Sequence, residues 1–265
     1  ITSIENGAFE EFTSLTDASL PKTLTAMGER AFAGCIKLES INLPDRLSKV
    51  SVSAFENCVA LAEVTFGKET ASIETNAFKN TAVVSVALPF TIKSVDYRAF
   101  DGAKSLKSFE IDNNKKSAQQ GGDIAYVADG GALYALNTTN KEATLVIVPL
   151  ATYGKFSIPE KVERRCVDYE VVAIGNGAMT GCEEITSVVI PSTVLTIGNE
   201  AFNASGIEAI EMSDNGKYVA IDNVLYSYLT TEQGKKEATV IYNASKTTPP
   251  ETVTINNEEY TVTNR

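Results

Sequence analysis

Histidine is absent from the 265 residues, and this narrows the chemistry open to the chain. Without an imidazole, the usual general base of serine, cysteine and threonine nucleophiles is missing, and so is the commonest zinc ligand. The cysteines Cys35, Cys58, Cys166 and Cys182 are too few and too unevenly spaced for a disulfide framework. Two acidic loops, Asp112-Asn113-Asn114 and Asp214-Asn215-Gly216, offer oxygen ligands but lack EF-hand spacing. Asx turns are their expected role, with calcium binding as the alternative. Paired carboxylates for glycosidase chemistry cannot be chosen among 34 scattered acids. Phosphate-loop and dinucleotide glycine signatures are missing. The sequon asparagines Asn137, Asn203 and Asn243 bear on structure only in a secreting eukaryote. These residues predict no enzyme, no cofactor and no metal.

Charge excludes further classes. With 23 basic against 34 acidic residues, the net charge of -11 repels nucleic acid and anionic lipid. No apolar run reaches 18 residues, so no membrane insertion is expected of this segment, and Ile1-Thr2-Ser3-Ile4 lacks the charged start and apolar stretch of a signal peptide.

The elements that position these residues follow from an internal repeat. Ala-Phe recurs at Ala8-Phe9, Ala31-Phe32, Ala54-Phe55, Ala77-Phe78, Ala99-Phe100 and Ala201-Phe202, and Ala178-Met179 fits the same frame. The first four intervals are 23, 23, 23 and 22 residues. Four positions after each alanine stands Phe12, Cys35, Cys58, Thr81, Ala103, Cys182 or Ser205, so three cysteines share one inward slot where a small thiol packs well. Cys166, in Arg164-Arg165-Cys166-Val167, lies outside this frame and is the candidate exposed thiol. A strand-like stretch follows in each unit, as in Leu38-Ile41-Leu43, Val83-Val86-Leu88 and Ile185-Val188-Ile190. Pro44, Pro89 and Pro191 end such stretches, since proline cannot donate to a continuing ladder. About 23 residues cannot bury their own apolar face, so each unit needs neighbours above and below. The spacing predicts a coil of strand, turn, short helical turn and return, with parallel strands shared between coils.

Two segments interrupt the array and resemble each other. Tyr126-Val127-Ala128-Asp129-Gly130-Gly131-Ala132-Leu133-Tyr134 parallels Tyr218-Val219-Ala220-Ile221-Asp222-Asn223-Val224-Leu225-Tyr226, each reading as a hairpin around an Asp-Gly or Asp-Asn turn. Glu142-Ala143-Thr144-Leu145-Val146 and Glu237-Ala238-Thr239-Val240-Ile241 then follow, and later Tyr169-Glu170-Val171-Val172 and Tyr260-Thr261-Val262-Thr263. Both termini fall inside the pattern, and the chain reads as a piece of a longer array.

The unit I-G-x-x-A-F-x-x-C-x-x-L-x-x-I-x-L-P resembles that of BspA-like, or Treponema pallidum-type, leucine-rich repeat proteins. Met179, Thr81 and the short units at 77 and 201 depart from it. The resemblance implies a right-handed α/β-type leucine-rich repeat solenoid, with a parallel β-sheet on one face, short helical turns on the other and two β-hairpin inserts. The expected division is repeats over 1–111, an insert over 112–173, repeats over 174–213 and a second, truncated insert over 214–265, all in one solenoid. It also implies an extracellular or cell-surface location and a host matrix or cell-surface protein, of the fibronectin or fibrinogen class, as partner.

The outward positions of the repeat strands form the candidate binding face. They are Glu39, Ser40, Asn42, Glu63, Thr65, Ser85, Lys107, Ser108, Glu110, Thr186, Ser187, Glu208 and Glu211. This acidic, hydroxyl-rich set suits a basic, extended protein partner. Its lack of aromatics disfavours sugar, and the tyrosines gather instead in the inserts, as core or as a second contact surface. A monomeric adhesion module is the leading expectation. A spacer without a ligand comes second, and a carbohydrate-binding module or an enzyme third.

Overall fold

The computed structural model describes residues 1–111 and 124–264. The Asp112-Asn113-Asn114 loop lies outside the described residues. Short strands on successive coils pair in parallel one repeat apart. On one side, which we term the front, Ser40–Asn42 pairs with Glu63–Thr65, and Ser85–Leu88 with Ser108–Ile111. A third piece runs Gly154–Ser157, Ile185–Val189, Ala209–Glu211. Alternation turns Ile41, Val86, Phe109, Val188 and Ile210 inward, each at most 4% exposed. A second ladder joins Lys49–Val50, Ser72–Ile73 and Ser94–Val95, and Ser3–Ile4 pairs likewise with Ala26–Met27. After the front strands Pro44, Pro89 and Pro191 each open a turn, their carbonyls accepting from the N–H of Leu47, Ile92 and Val194.

The Ala-Phe segments are turns, and no helix forms among the described residues. This corrects the expected short helical turns, and the reason is where the backbone bonds go. The N–H of Phe9, Phe32, Phe55 and Phe78 donates to Ala31, Ala54, Ala77 and Ala99 of the next coil at 2.8–2.9 Å. A residue with positive φ stands just before several of the alanines, as at Gly7, Arg30, Ser53, Asn76, Gly177 and Glu200. Another stands two places after the phenylalanine slot, as at Glu11, Gly34, Asn57, Asn80, Gly102 and Gly181. This alternation aims N–H groups along the stack instead of back into the same turn, so an intrahelical ladder cannot start. The rings of Phe9, Phe32, Phe55, Phe78 and Phe100 stack with centroids 5.0–5.4 Å apart and planes within 15°. Each buried ring contributes roughly 1.5–3 kcal/mol.

The short units have their own solution. Sγ of Cys35 and of Cys58 reaches back to the carbonyl of Phe9 and Phe32, one coil earlier, at 3.1 and 3.0 Å. Where the turn is a residue shorter, a hydroxyl replaces the thiol and bonds within its own coil: Thr81 to Phe78 O at 2.8 Å, and Ser205 to Phe202 O at 2.7 Å. The residue after the hydroxyl differs between the two short coils. Gly206 N–H donates to Cys182 O, and a Cβ there would lie 1.9 Å from Glu183 O. Ala82 holds that place in the other short coil, and no ladder joins Glu63–Thr65 to Ser85–Leu88.

Both inserts contribute five strands in the same order, and the first sheet gains a sixth from Thr196–Ile197 of the next coil. In the first, Ile124–Asp129, Ala132–Asn137, Glu142–Ile147, Val167–Ile174 and Lys161–Arg164 lie side by side. In the second the equivalents are Tyr218–Ile221, Val224–Thr230, Lys236–Asn243, Glu258–Asn264 and Thr252–Ile255. Two-residue turns with φ positive at both positions close the hairpins at Gly130-Gly131, Asp222-Asn223, Arg165-Cys166 and Asn256-Asn257, the backbone that matches strand twist. The first sheet is buried on both faces. Tyr126, Leu133 and Ile147 join the core of the repeats before it, while Val127, Tyr134, Leu136 and Leu145 join the core of the repeats after it. Val167–Ile174 then runs straight into the next coil, where Ala173 and Ile174 pair with Thr196 and Ile197.

Candidate functional site: the front sheet face

Inward packing of alternate side chains leaves the others facing out. Glu39, Asn42, Glu63, Thr65, Ser85, Lys107, Glu110, Thr186, Glu208 and Glu211 are exposed, and Ser40, Ser108 and Ser187 are half-buried. Register brings them into rows across coils: Ser40 beside Glu63, Asn42 beside Thr65, Ser85 beside Ser108, and Ser187 beside Ala209. Glu39, Ala62, Val84 and Lys107 lie at corresponding positions, since the Ala62 N–H donates to Glu39 O and the Lys107 N–H to Val84 O, both at 2.9 Å. The tip of the first hairpin separates the two halves of the face, because Phe109 N–H donates to Gly131 O at 2.9 Å.

Charge on this face is largely uncompensated. Among the described residues Glu39, Glu63, Glu110 and Glu208 enter no ion pair, whereas Lys155 meets Glu211 at 3.1 Å. The turn side contrasts with it: Arg30 bridges Glu10 at 2.6 Å and Glu56 at 3.2 Å, and Lys79 reaches Glu56 at 3.5 Å. Three contributors escaped the sequence reading. Lys155 lies on the strand Gly154–Ser157, whose Phe156 and Ile158-Pro159 fit the I-x-L-P frame and gave the available signal. Val84 and Ala87 are exposed on Ser85–Leu88 or beside it, so that coil adds no charge to the face.

Cys35, Cys58, Cys182 and Asp214 take structural roles. Cys35, Cys58 and Cys182 are buried, and burial pushes the Cys58 and Cys182 thiols up to about 12, far from the thiolate a nucleophile needs. Cys166 is exposed in its tight turn. Asp214 spends its oxygens on Tyr228 OH, on Gly216 N–H at 2.8 Å and on the Asn256 amide. Asn215 donates to Ser192 O and Val194 O and accepts from Lys217 and Tyr218 N–H, which ties the second insert to the last repeats. This loop is a turn and a clasp, and its acceptors are already in use. Of the insert tyrosines, Tyr126, Tyr134, Tyr169, Tyr218, Tyr226 and Tyr260 are core, Tyr228 and Tyr242 are half-buried, and Tyr153 is exposed. No helix of the described residues is long and apolar enough to cross a membrane.

Residues 2–121 and 156–257 match the BspA type leucine rich repeat region, in six copies. Among solved structures, a leucine rich cell surface protein from Faecalibacterium prausnitzii A2-165 aligns with a TM-score of 0.65 at 26% identity, over 80% of this chain and 52% of that one. The pneumococcal vaccine antigen PcpA aligns at 0.61 and 20% identity, over 82% and 50%, a likeness of fold. The chain thus spans about half the length of each. No curated protein sequence matches it.

Proposed function

Because the chain belongs to the BspA-type leucine-rich repeat family, we propose that it is an extracellular, surface-displayed module that binds a protein through the front sheet. The observation that carries this reading is the face itself: Glu39, Glu63, Glu110 and Glu208 without ion-pair partners among the described residues, and outward hydroxyls, held in rows by main-chain ladders. A rigid array of this kind orders few groups on binding, which lowers the entropy cost of association. Its charge favours an extended partner rich in lysine and arginine, on a host matrix or a neighbouring cell, with the fibronectin and fibrinogen class the one the family resemblance suggests. The similarity to a cell surface protein of F. prausnitzii supports the location.

The test is retention of matrix and mucin proteins by the parent chain against a variant with Glu39, Glu63, Glu110 and Glu208 changed to lysine. A protein held by the parent, released as salt rises through ~0.15 M and lost by the variant supports the reading. Retention of nothing by either chain leaves the spacer role in its place.

A further inference from the structure

Beside the front sheet, where the first insert rejoins the array, the surface opens into a notch of about 410 Å³. Its lining comes from three successive layers. Lys104 belongs to the repeat before the insert, Leu150, Ala151 and Tyr153 to the insert, and Gly181, Glu183 and Glu184 to the repeat after it. Main-chain bonds fix all three, with Ala151 N–H donating to Leu106 O, Thr152 N–H to Pro149 O, and Gly154 N–H to Glu184 O, at 2.9–3.0 Å. Gly181 sits at φ +75°, and Leu150 lies against it, within 3.4 Å of where its Cβ would be.

Tyr153 stands out in this setting. Its side chain is 81% exposed, the most open aromatic of the described residues, while six of the other insert tyrosines are core. A ring left in water adds little to the fold, and what sets this one apart from other exposed apolar side chains is its place on the lining of the notch. The groups around it carry both signs. Lys104 and Glu183 meet across the notch at 3.4 Å, each well exposed, and Glu184 has no ion-pair partner among the described residues.

We propose that this notch is a binding site for a neutral saccharide. A sugar ring presents C–H groups on its face and hydroxyls at its edge. The first suits an exposed aromatic platform, and the second suits a carboxylate acceptor and an ammonium donor side by side. Lys104 and Glu183 compensate each other, and the remaining Glu184 carboxylate disfavours an anionic ligand while it offers a hydroxyl an acceptor. The second insert carries no such site: its path from Asn243 to Thr252 is shorter and has neither the Gly154–Ser157 strand nor a counterpart of Tyr153. The site is independent of the protein-binding face proposed above.

Saturation-transfer NMR on the whole chain tests it with lactose, N-acetyllactosamine, mannotriose, maltotriose and laminaritriose. The charged controls are 3′-sialyllactose and N-acetyl-Lys-Lys-amide. At least one neutral sugar is expected to bind with a dissociation constant on the order of 1 mM. Tyr153→Ala weakens it about tenfold or more and Glu184→Gln severalfold, both with an unchanged melting temperature because these side chains are exposed. Silence across the neutral panel overturns the proposal, as does a signal that survives Tyr153→Ala or a preference for either charged control.

Discussion

Tyr134 and Tyr226 occupy the same place in two sheets of the same strand order, and each is almost wholly buried. Their surroundings differ. On the first sheet the neighbours Leu136, Leu145 and Val171 are at most 1% exposed, because the coil beginning at Ile174 packs over them. The same pairing registers in the second sheet put Tyr228, Val240 and Val262 at those points, and all three are half-buried. There the outer face forms a separate small cluster with Val219, Tyr226, Ala238, Val253, Ile255 and Tyr260. One sequence pattern therefore meets two environments among the described residues: a coil packs over this face of the first sheet, and none is described over the same face of the second. What differs is the number of layers that exclude water, since intrinsic strand preference is the same in both.

The largest expected effect separates the two tyrosines. Tyr134→Ala costs about 3–5 kcal/mol in urea unfolding and loosens both flanking arrays. Tyr226→Ala, by contrast, raises hydrogen exchange only within 214–264, leaving the earlier repeats protected. Equal spreading of exchange in both variants would remove the distinction between the covered sheet and the uncovered one. Next comes Leu145→Ala against Val240→Ala, at about 2–5 and about 1 kcal/mol, since the first leaves a closed cavity and the second a surface dent.

A pH effect confined to the second insert is the third. Burial raises the Asp214 pKa, but the hydrogen bonds from Tyr228, Gly216 and Asn256 outweigh it and hold the carboxyl below its ordinary range. Its stabilisation is complete above the unfolded value of about 3.9 and fades as pH falls through the lower folded value. Acid should therefore loosen 214–264 in the parent. Asp214→Asn should start looser by about 1 kcal/mol and lose that extra acid response, which exchange at pH 5 and pH 3 would show.

The smallest effect concerns the turns. Arg165-Cys166 takes the left-handed backbone that Asn256-Asn257 takes in the other insert. Replacing it with Asn-Gly should stabilise the first insert by about 1 kcal/mol. A thiol reagent should reach Cys166 in the native parent, leave Cys35, Cys58 and Cys182 intact, and label all four in denaturant.

Much of this architecture was legible in the residues. Ala-Phe spacing gave the coil, and the paired apolar runs around Asp129-Gly130 and Asp222-Asn223 gave the two hairpins, while the covering of the sheets was not legible, since both inserts carry the same run. The cysteine slot was legible as packing. The turn ladder was not, because it depends on which carbonyl each N–H meets, and residues as unlike as Arg30, Ser53 and Glu200 all adopt the required positive φ. Of the candidate face, the outward residues followed from alternation. Lys155 was missed because its strand sits inside an insert that otherwise breaks the repeat, and Tyr153 stood among tyrosines that packing absorbs.

The most direct measurement on the central claim is hydrogen-exchange footprinting of the chain bound to the matrix protein it retains. Protection should fall on 39–42, 63–65, 85–88 and 107–111 and weaken as salt rises, with the Ala-Phe turns unchanged. Protection centred on the turns, or on 214–264, would contradict a front-sheet interface.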